Sequence, residues 1–278
     1  MCNVWTKGAR RWASVVSVDT DAKTKIAHLR LERHEGKNAF SRGMLSEFVR
    51  CVETVQRAAE VKAVNVLIVS SSVPKVFCAG ADLKERQDMA ESEVAGFVDS
   101  LRQAFTSLEN LSVPTIAAIE GAALGGGLEL ALCCDLRIAG RNAILGLPET
   151  ALAIIPGAGG TQRLPRLIGP SKAKELVYLA RRLSADEAFM YGIINERVDA
   201  GKAVERAQEM ANIMAGHGPI ALRMAKKAID AGWLLRDEDM VKALAVERDC
   251  YARVVPTADR REGLKAFAEK RKPMYRGE

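Results

Sequence analysis

The chain has 278 residues, 48% hydrophobic and 27% charged, which is enough length and apolar content for one large domain with a smaller appendage. Lysine and arginine number 41 against 35 aspartate and glutamate, a net charge of +6 that favours anionic partners without identifying one. No apolar run approaches the ~20 residues of a membrane-spanning helix, and six cysteines without a CxxC pair, beside three histidines without paired spacing, predict no metal site and no disulfide framework.

Ahead of Asp19 the chain has no acidic residue, yet it carries Lys7, Arg10 and Arg11 with Trp5 and Trp12. This composition predicts a transit-peptide remnant over residues 1–13 and a mitochondrial location, with the cytoplasm as the alternative, since a stretch this short can also lack acids by chance. ASVVSV (13–18) and TKIAHLRL (24–31) then read as strands. Ser41 caps a helix in which Leu45, Phe48, Val52 and Val55 form one apolar stripe. Next come strand VNVLIVS (64–70), a loop ending in FCAGAD, a helix around 92–110, and strand TIAAI (115–119). A triple-glycine turn opens another helix, and strand DLRIAG (135–140) follows. Repeated strand–helix units predict an α/β core over 14–201. From residue 202 to 278 the pattern is helical, punctuated by Gly216-His217-Gly218-Pro219 and Pro256, and predicts an appendage or lid.

The chemistry concentrates in three stretches. In GAALGGGLELALCCD (121–135) a lone carboxylate, Glu129, follows three glycines among apolar residues. A buried unpaired carboxylate is expensive, so it is removed, paired or used. The glycines let the backbone approach a ligand and free the first amides of the next helix, a place for negative charge. VFCAGADLKER (76–86) repeats the arrangement, so two turns could each give one N–H to a single oxygen, forming an oxyanion hole. In GLPETALAIIPGAGGTQRLPR (146–166), Glu149 is again an acid in apolar company, followed by a glycine-rich turn and Thr161. Two such carboxylates can have their pKa values pushed apart into an acid and a base. Ordinary helix caps would produce much of the same pattern.

FCAGADLKE, AALGGGLELALCCDLRIA and GLPETALAIIPGAGGTQRLPR closely resemble, in order, the motifs of the crotonase, or enoyl-CoA hydratase/isomerase, superfamily. The resemblance implies an α/β fold, a spiral of ββα repeats with a C-terminal helical region that builds trimers or hexamers. It implies hydration of an enoyl-CoA thioester in fatty-acid or branched-chain amino-acid breakdown, with double-bond isomerisation as an alternative. Glu129 and Glu149 match the catalytic glutamates, and Ala81 and Gly126 the two oxyanion donors. Asp82, Leu83 and Lys84 match the stretch that meets coenzyme A, which is part of the substrate, so no separate cofactor is implied. AFAEKRKPMY (266–275) is similar to the segment whose aromatic and lysine, here Phe267 and Lys270, approach coenzyme A; simple solvation in a basic tail is the other reading of Lys270. LERHEGKNAF (31–40) departs from the family pattern by carrying Glu32 and His34 where asparagine and proline are usual.

The tail PTADRREGLKAFAEKRKPMYRGE (256–278) is especially similar to methylglutaconyl-CoA hydratases of leucine breakdown, a group also described as binding AU-rich RNA through a lysine-bearing helix. In the corresponding helix of this chain Ser46 and Gln56 are neutral and only Arg50 keeps a charge, so weak, salt-sensitive RNA binding is expected. GAGGTQ (157–162) places Gln162 where a dinucleotide fingerprint needs glycine, and the chain has no phosphate loop or GxSxG elbow. Acyl-chain length, branching and a distal carboxylate on the substrate are not encoded in these motifs.

Overall fold

The computed structural model describes residues 14–235 and 240–278, so the predicted transit segment lies outside the described residues. β1 (Val16–Asp21) pairs antiparallel with β2 (Ile26–Leu31). Asp21 sets the turn between them: its Oδ1 accepts the amides of Lys23 at 2.7 Å and Thr24 at 3.0 Å. β1 lies three residues later than the apolar pattern predicts. Pairing fixes its place, from Val16 opposite Leu31 to Asp21 opposite Ile26, and an edge strand tolerates the polar Asp19, Thr20 and Asp21.

α1 (Arg42–Glu60) starts at Ser41, whose side chain accepts the Met44 amide, and it buries Leu45, Phe48, Val52 and Val55 as their spacing predicts. The chain then winds through three similar turns. The first contains β3 (Val66–Ser71), β4 (Val76–Cys78), α2 (Leu83–Gln87) and α3 (Glu91–Glu109). The second contains β5 (Thr115–Ile119), β6 (Ala122–Leu124) and α4 (Gly126–Leu132). The third contains β7 (Leu136–Gly140), β8 (Ile144–Gly146), a 3-10 turn at Glu149–Leu152, α5 (Gly160–Ile168) and α6 (Pro170–Tyr178). β9 (Arg182–Ser184), α7 (Ala185–Met190) and β10 (Glu196–Val198) complete the winding. The first strand of each turn enters a six-stranded sheet ordered β1-β2-β3-β5-β7-β10, and the second enters a four-stranded sheet ordered β4-β6-β8-β9. This is a spiral of ββα repeats. α8 (Ala203–Ala215), α9 (Pro219–Leu235), α10 (Met240–Val254) and α11 (Ala258–Ala268) make the helical C-terminal region.

Beyond the antiparallel β1, the larger sheet is parallel and covered on both faces, which explains the unbroken apolar runs in β3 and β5. One core joins side chains of both sheets to α1, α3 and α4. A smaller one lies on the opposite face, where Ala203, Ala207 and Ala211 of α8 cover Ile26, Val66, Ile68, Ile116 and Ile138. Under α1, the rings of Phe40, Phe48 and Phe105 meet edge-to-face with centroids 5.3 to 6.0 Å apart. Phe48 is fully buried in this cluster. Phe48→Ala is expected to lower unfolding free energy by about 3–5 kcal/mol. Urea unfolding measures this, and a loss below ~1 kcal/mol would contradict the cluster's role.

Candidate active site

The site begins at the ends of β2, β3 and β4, which one buried side chain ties together. Asn38 Nδ2 donates to Ser71 Oγ at 2.7 Å, to Phe77 O at 2.9 Å and to Leu31 O at 3.4 Å. The Asn38 backbone has φ +55°, a left-handed conformation that asparagine tolerates better than most residues. With this loop fixed, Phe40 N donates to Gly80 O at 2.7 Å and Asp82 N donates to Phe40 O at 3.0 Å. The pairing brackets Ala81 in a parallel bridge. The N–H of Ala81 therefore faces away from the pair, and it has no acceptor among the described residues.

The second turn lies directly against the first. Gly80 has φ +101°, and a Cβ there would come within 2.9 Å of Leu124 O and 3.2 Å of Gly126 N. A Cβ on Gly126 would stand 3.6 Å from Ala81 N. Gly126 begins α4, so its amide is one of the unpaired donors of a helix start, and it too has no acceptor among the described residues. Two free amides thus stand side by side. The three glycines have different tasks. Gly125 takes φ +53°, Gly126 supplies the amide, and Gly127 permits contact, since a Cβ on it would lie 2.1 Å from Cys78 O.

Both glutamates border these donors. Glu129, on α4, is 2% exposed, and its Oε1 accepts the amides of Ala158 at 2.9 Å and Gly160 at 2.7 Å. Burial pushes its pKa up, while these amides, and more weakly Arg163 and Arg102, oppose the rise. Arg163 also holds the donor loop, donating to Ala158 O at 2.9 Å while its other nitrogens bind Glu109. Glu149 begins the 3-10 turn, half-buried, and its Oε1 lies so near Gly125 that a Cβ there would approach to 3.2 Å. Its Oε2 is buried without a hydrogen-bond partner. Burial raises its pKa to about 7; its own backbone amide opposes the rise and the charge of Glu129 adds to it. One carboxylate is thus held by two amides, while the other is short of donors and readily protonated.

The predicted coenzyme A contacts divide. Asp82 is occupied structurally: its Oδ1 accepts the amides of Lys84 and Glu85 at the start of α2, and its Oδ2 pairs with Arg33 at 2.6 Å. Burial raises the Asp82 pKa, but Arg33 and the amides outweigh it and keep the carboxyl below its usual range. Leu83 and Lys84 follow it, both exposed. Phe267, 86% exposed, and Lys270 lie at the end of α11, and no hydrogen bond or ion pair among the described residues joins them to the glutamates or the two donors. Thr161 is exposed beside Glu129's donor loop. Sequence reasoning missed Ala158, Gly160 and Arg163 as supports of Glu129; the glycine-rich GAGG run was their one signal.

A family model described as "Enoyl-CoA hydratase/isomerase" matches residues 21–278. The chain is 54% identical over 252 residues to "Probable enoyl-CoA hydratase 2, mitochondrial" of Arabidopsis thaliana, covering 91% of this chain and 82% of that protein. It is 46% identical over 289 residues to "Methylglutaconyl-CoA hydratase, mitochondrial" of Mus musculus, covering 99% and 90%. A crystal structure of an enoyl-CoA hydratase from Bacillus anthracis superimposes with a TM-score of 0.90 at 47% identity, covering 95% of this chain and all of that one.

The state of Glu149 sets a pH dependence of stability. Its pKa is 4.5 ordinarily and about 7 in the folded chain, so between these values the folded state holds the extra proton. The group's contribution is complete below 4.5 and is lost as pH rises through about 7. Glu149→Gln should therefore melt above the wild type at alkaline pH, with the gap narrowing as pH falls towards 4.5. Melting curves across that range decide the matter, and a gap independent of pH would contradict the raised pKa.

Proposed function

The chain belongs to the enoyl-CoA hydratase/isomerase family, and on that premise we propose that it adds water across the 2,3-double bond of an enoyl-CoA thioester at Glu129 and Glu149. The observation that carries this reading is the convergence of two carboxylates in different states on two unpaired backbone donors. The amides of Ala81 and Gly126 hold the thioester oxygen and stabilise the negative charge that gathers there as a nucleophile attacks Cβ. Backbone donors fixed by packing need no reorganisation during reaction. Glu129, whose Oε1 is held by the amides of Ala158 and Gly160, acts as the base and accepts a proton from water as the water oxygen bonds to Cβ. Glu149 gives its proton to Cα. A proton passing from Glu129 to Glu149 afterwards restores the starting state, leaving a 3-hydroxyacyl thioester.

This reading requires no metal or further cofactor, because coenzyme A arrives with the substrate. Leu83 and Lys84 would flank its adenine and pantetheine portion, with Asp82 fixing the segment through Arg33. Phe267 and Lys270 would serve a neighbouring copy's ligand in a trimer or hexamer. Ile229, Met240, Leu244 and Tyr251, exposed on α9 and α10, offer an apolar face for that assembly. The mitochondrial names of the plant and mouse relatives agree with a mitochondrial location and with the basic start of the chain. The mouse relative's name makes 3-methylglutaconyl-CoA the first alternative substrate to compare with crotonyl-CoA. For RNA, α1 offers little: Arg50 and Arg57 lie within 4.0 Å of Glu47 and Glu53, so their charge is already partly balanced.

Glu129→Gln and Glu149→Gln should each lower kcat for hydration ~10²–10⁴-fold while thioester binding persists, because shape is kept and proton transfer is lost. Steady-state kinetics with crotonyl-CoA test this, and near-wild-type turnover by either variant would sink the assignment. Gly126→Val should stay folded and lose most of its kcat, since its Cβ would stand in ordinary contact with Gly80 and beside Ala81 N. Losing an oxyanion donor costs about 3–4 kcal/mol of transition-state stabilisation. A folded Gly126→Val enzyme with unchanged turnover would remove the donor role.

A further inference from the structure

At the N-terminal ends of β2 and β3, opposite the ends that lead to the glutamates, the chain forms a partly open cavity of about 130 Å³. Six residues in each strand separate the two regions by ~20 Å. The cavity gathers Lys23, Lys25, Lys62, Arg223 and Arg276 together with His217, and among the described residues no aspartate or glutamate lines it. None of these five cations has an ion-pair partner among the described residues, whereas Arg33, Arg163 and Arg206 elsewhere each hold a carboxylate. The charges come from four separate parts of the chain: the β1–β2 turn, the end of α1, the first turns of α9, and the C-terminal tail.

Arg223 is the informative member. One Nη donates to Val64 O at 3.0 Å, but its Nε is buried with no acceptor among the described residues. Burial is the sole influence on its pKa and lowers it, with no carboxylate opposing. A buried guanidinium N–H without an acceptor is costly, and the five like charges repel one another. Both costs would be relieved by one anion with several acceptor oxygens. Pro219 and Ile220, which open α9, also line the cavity and direct the positive end of a helix dipole towards it. Two acids adjoin the lining without entering it: Asp21 accepts the amides of Lys23 and Thr24 and feels the Lys23 charge, and Asp259 is occupied by the amides of Arg276 and Gly277.

We propose that this cavity is a second ligand site, which binds a tetrahedral oxyanion, either free phosphate or the phosphate of a phosphomonoester, with Arg223 as its central donor. The cavity volume suits one such group and leaves a nucleobase or sugar outside. Guanidinium geometry matches two phosphate oxygens at once, and the flanking lysines add charge. The site does not depend on the hydratase reading, since it uses none of the same residues.

The test is thermal melting of the full-length protein against potassium phosphate, with potassium chloride at matched ionic strength as control and AMP as the phosphomonoester. Phosphate is expected to raise Tm saturably above the chloride control. Arg223→Gln should weaken the phosphate Kd at least about tenfold, the consequence of losing one charged hydrogen bond. The exposed Lys62→Gln should weaken it by a smaller factor and guards against misfolding of the Arg223 variant. Both variants should keep wild-type kcat/KM with crotonyl-CoA. Tighter binding of AMP than of phosphate would assign the esterified source, and the reverse the free anion. Equal Tm curves in phosphate and chloride, or an undiminished phosphate shift in both variants, would overturn the proposal.

Discussion

The site rests on the close approach of two backbone turns that carry no side chains between them. Gly80, with φ +101°, lies so near Leu124 and Gly126 that no Cβ fits, and Gly127 is pressed as closely onto Cys78. These contacts join the end of β4 to the start of α4, and so couple the first winding of the spiral to the second. Everything else in the site is placed relative to that junction. Glu129 is carried on α4, and Glu149 rests against Gly125. The loop from Ala158 to Gly160 reaches back to Glu129, and Arg163 anchors that loop to Glu109 on α3. Packing at a glycine contact thus sets the geometry of the two free amides and both glutamates without further adjustment.

The two glutamates show how one small region can hold acids in different conditions. Both are desolvated, which by itself disfavours their charge. Glu129 recovers stability as an anion from two amides at the start of α5, whereas Glu149 leaves one buried oxygen without a partner. The pair is coupled, so the proton belongs to both, but the donors decide where it rests. Asp82 illustrates the opposite use of a carboxylate. Arg33 and two amides consume its acceptor capacity, and it stiffens the loop beside Ala81.

Much of this was legible in the sequence where a side chain or a period announces itself. The stripe on α1, the buried strands β3 and β5, the triple-glycine turn and the two lone glutamates all read directly from residue type and spacing. β4 shows only as a strand end ahead of its small-residue turn, and β6 and β8 do not show at all, because three residues are too few for a period and their pairing comes from the spiral itself. β1 lies later than its apolar pattern predicts because an edge strand is positioned by its neighbour's register and accepts polar residues. The partners of Glu129 were hidden for a different reason: Ala158 and Gly160 act through amides that almost any residue possesses. Sequence also treats Gly125, Gly126 and Gly127 alike, while the structure assigns them a backbone angle, a donor and a contact.

The donor at Ala81 belongs to the main chain, with its orientation set by Phe40 on one side and Asp82 on the other. A genetic change at that codon alters the side chain but leaves the N–H in place, proline alone excepted. Carboxylates have no such protection, since one nucleotide change can remove an acid. On the proposed reading, the Ala81 donor is therefore buffered against mutation, whereas Gly80 tolerates no larger side chain, a side chain on Gly126 would stand beside Ala81 N, and the two glutamates are free to diverge. If the proposed roles hold, a lineage built on this scaffold could exchange one reaction of a thioester for another by editing two side chains, and still inherit the main-chain donor at Ala81.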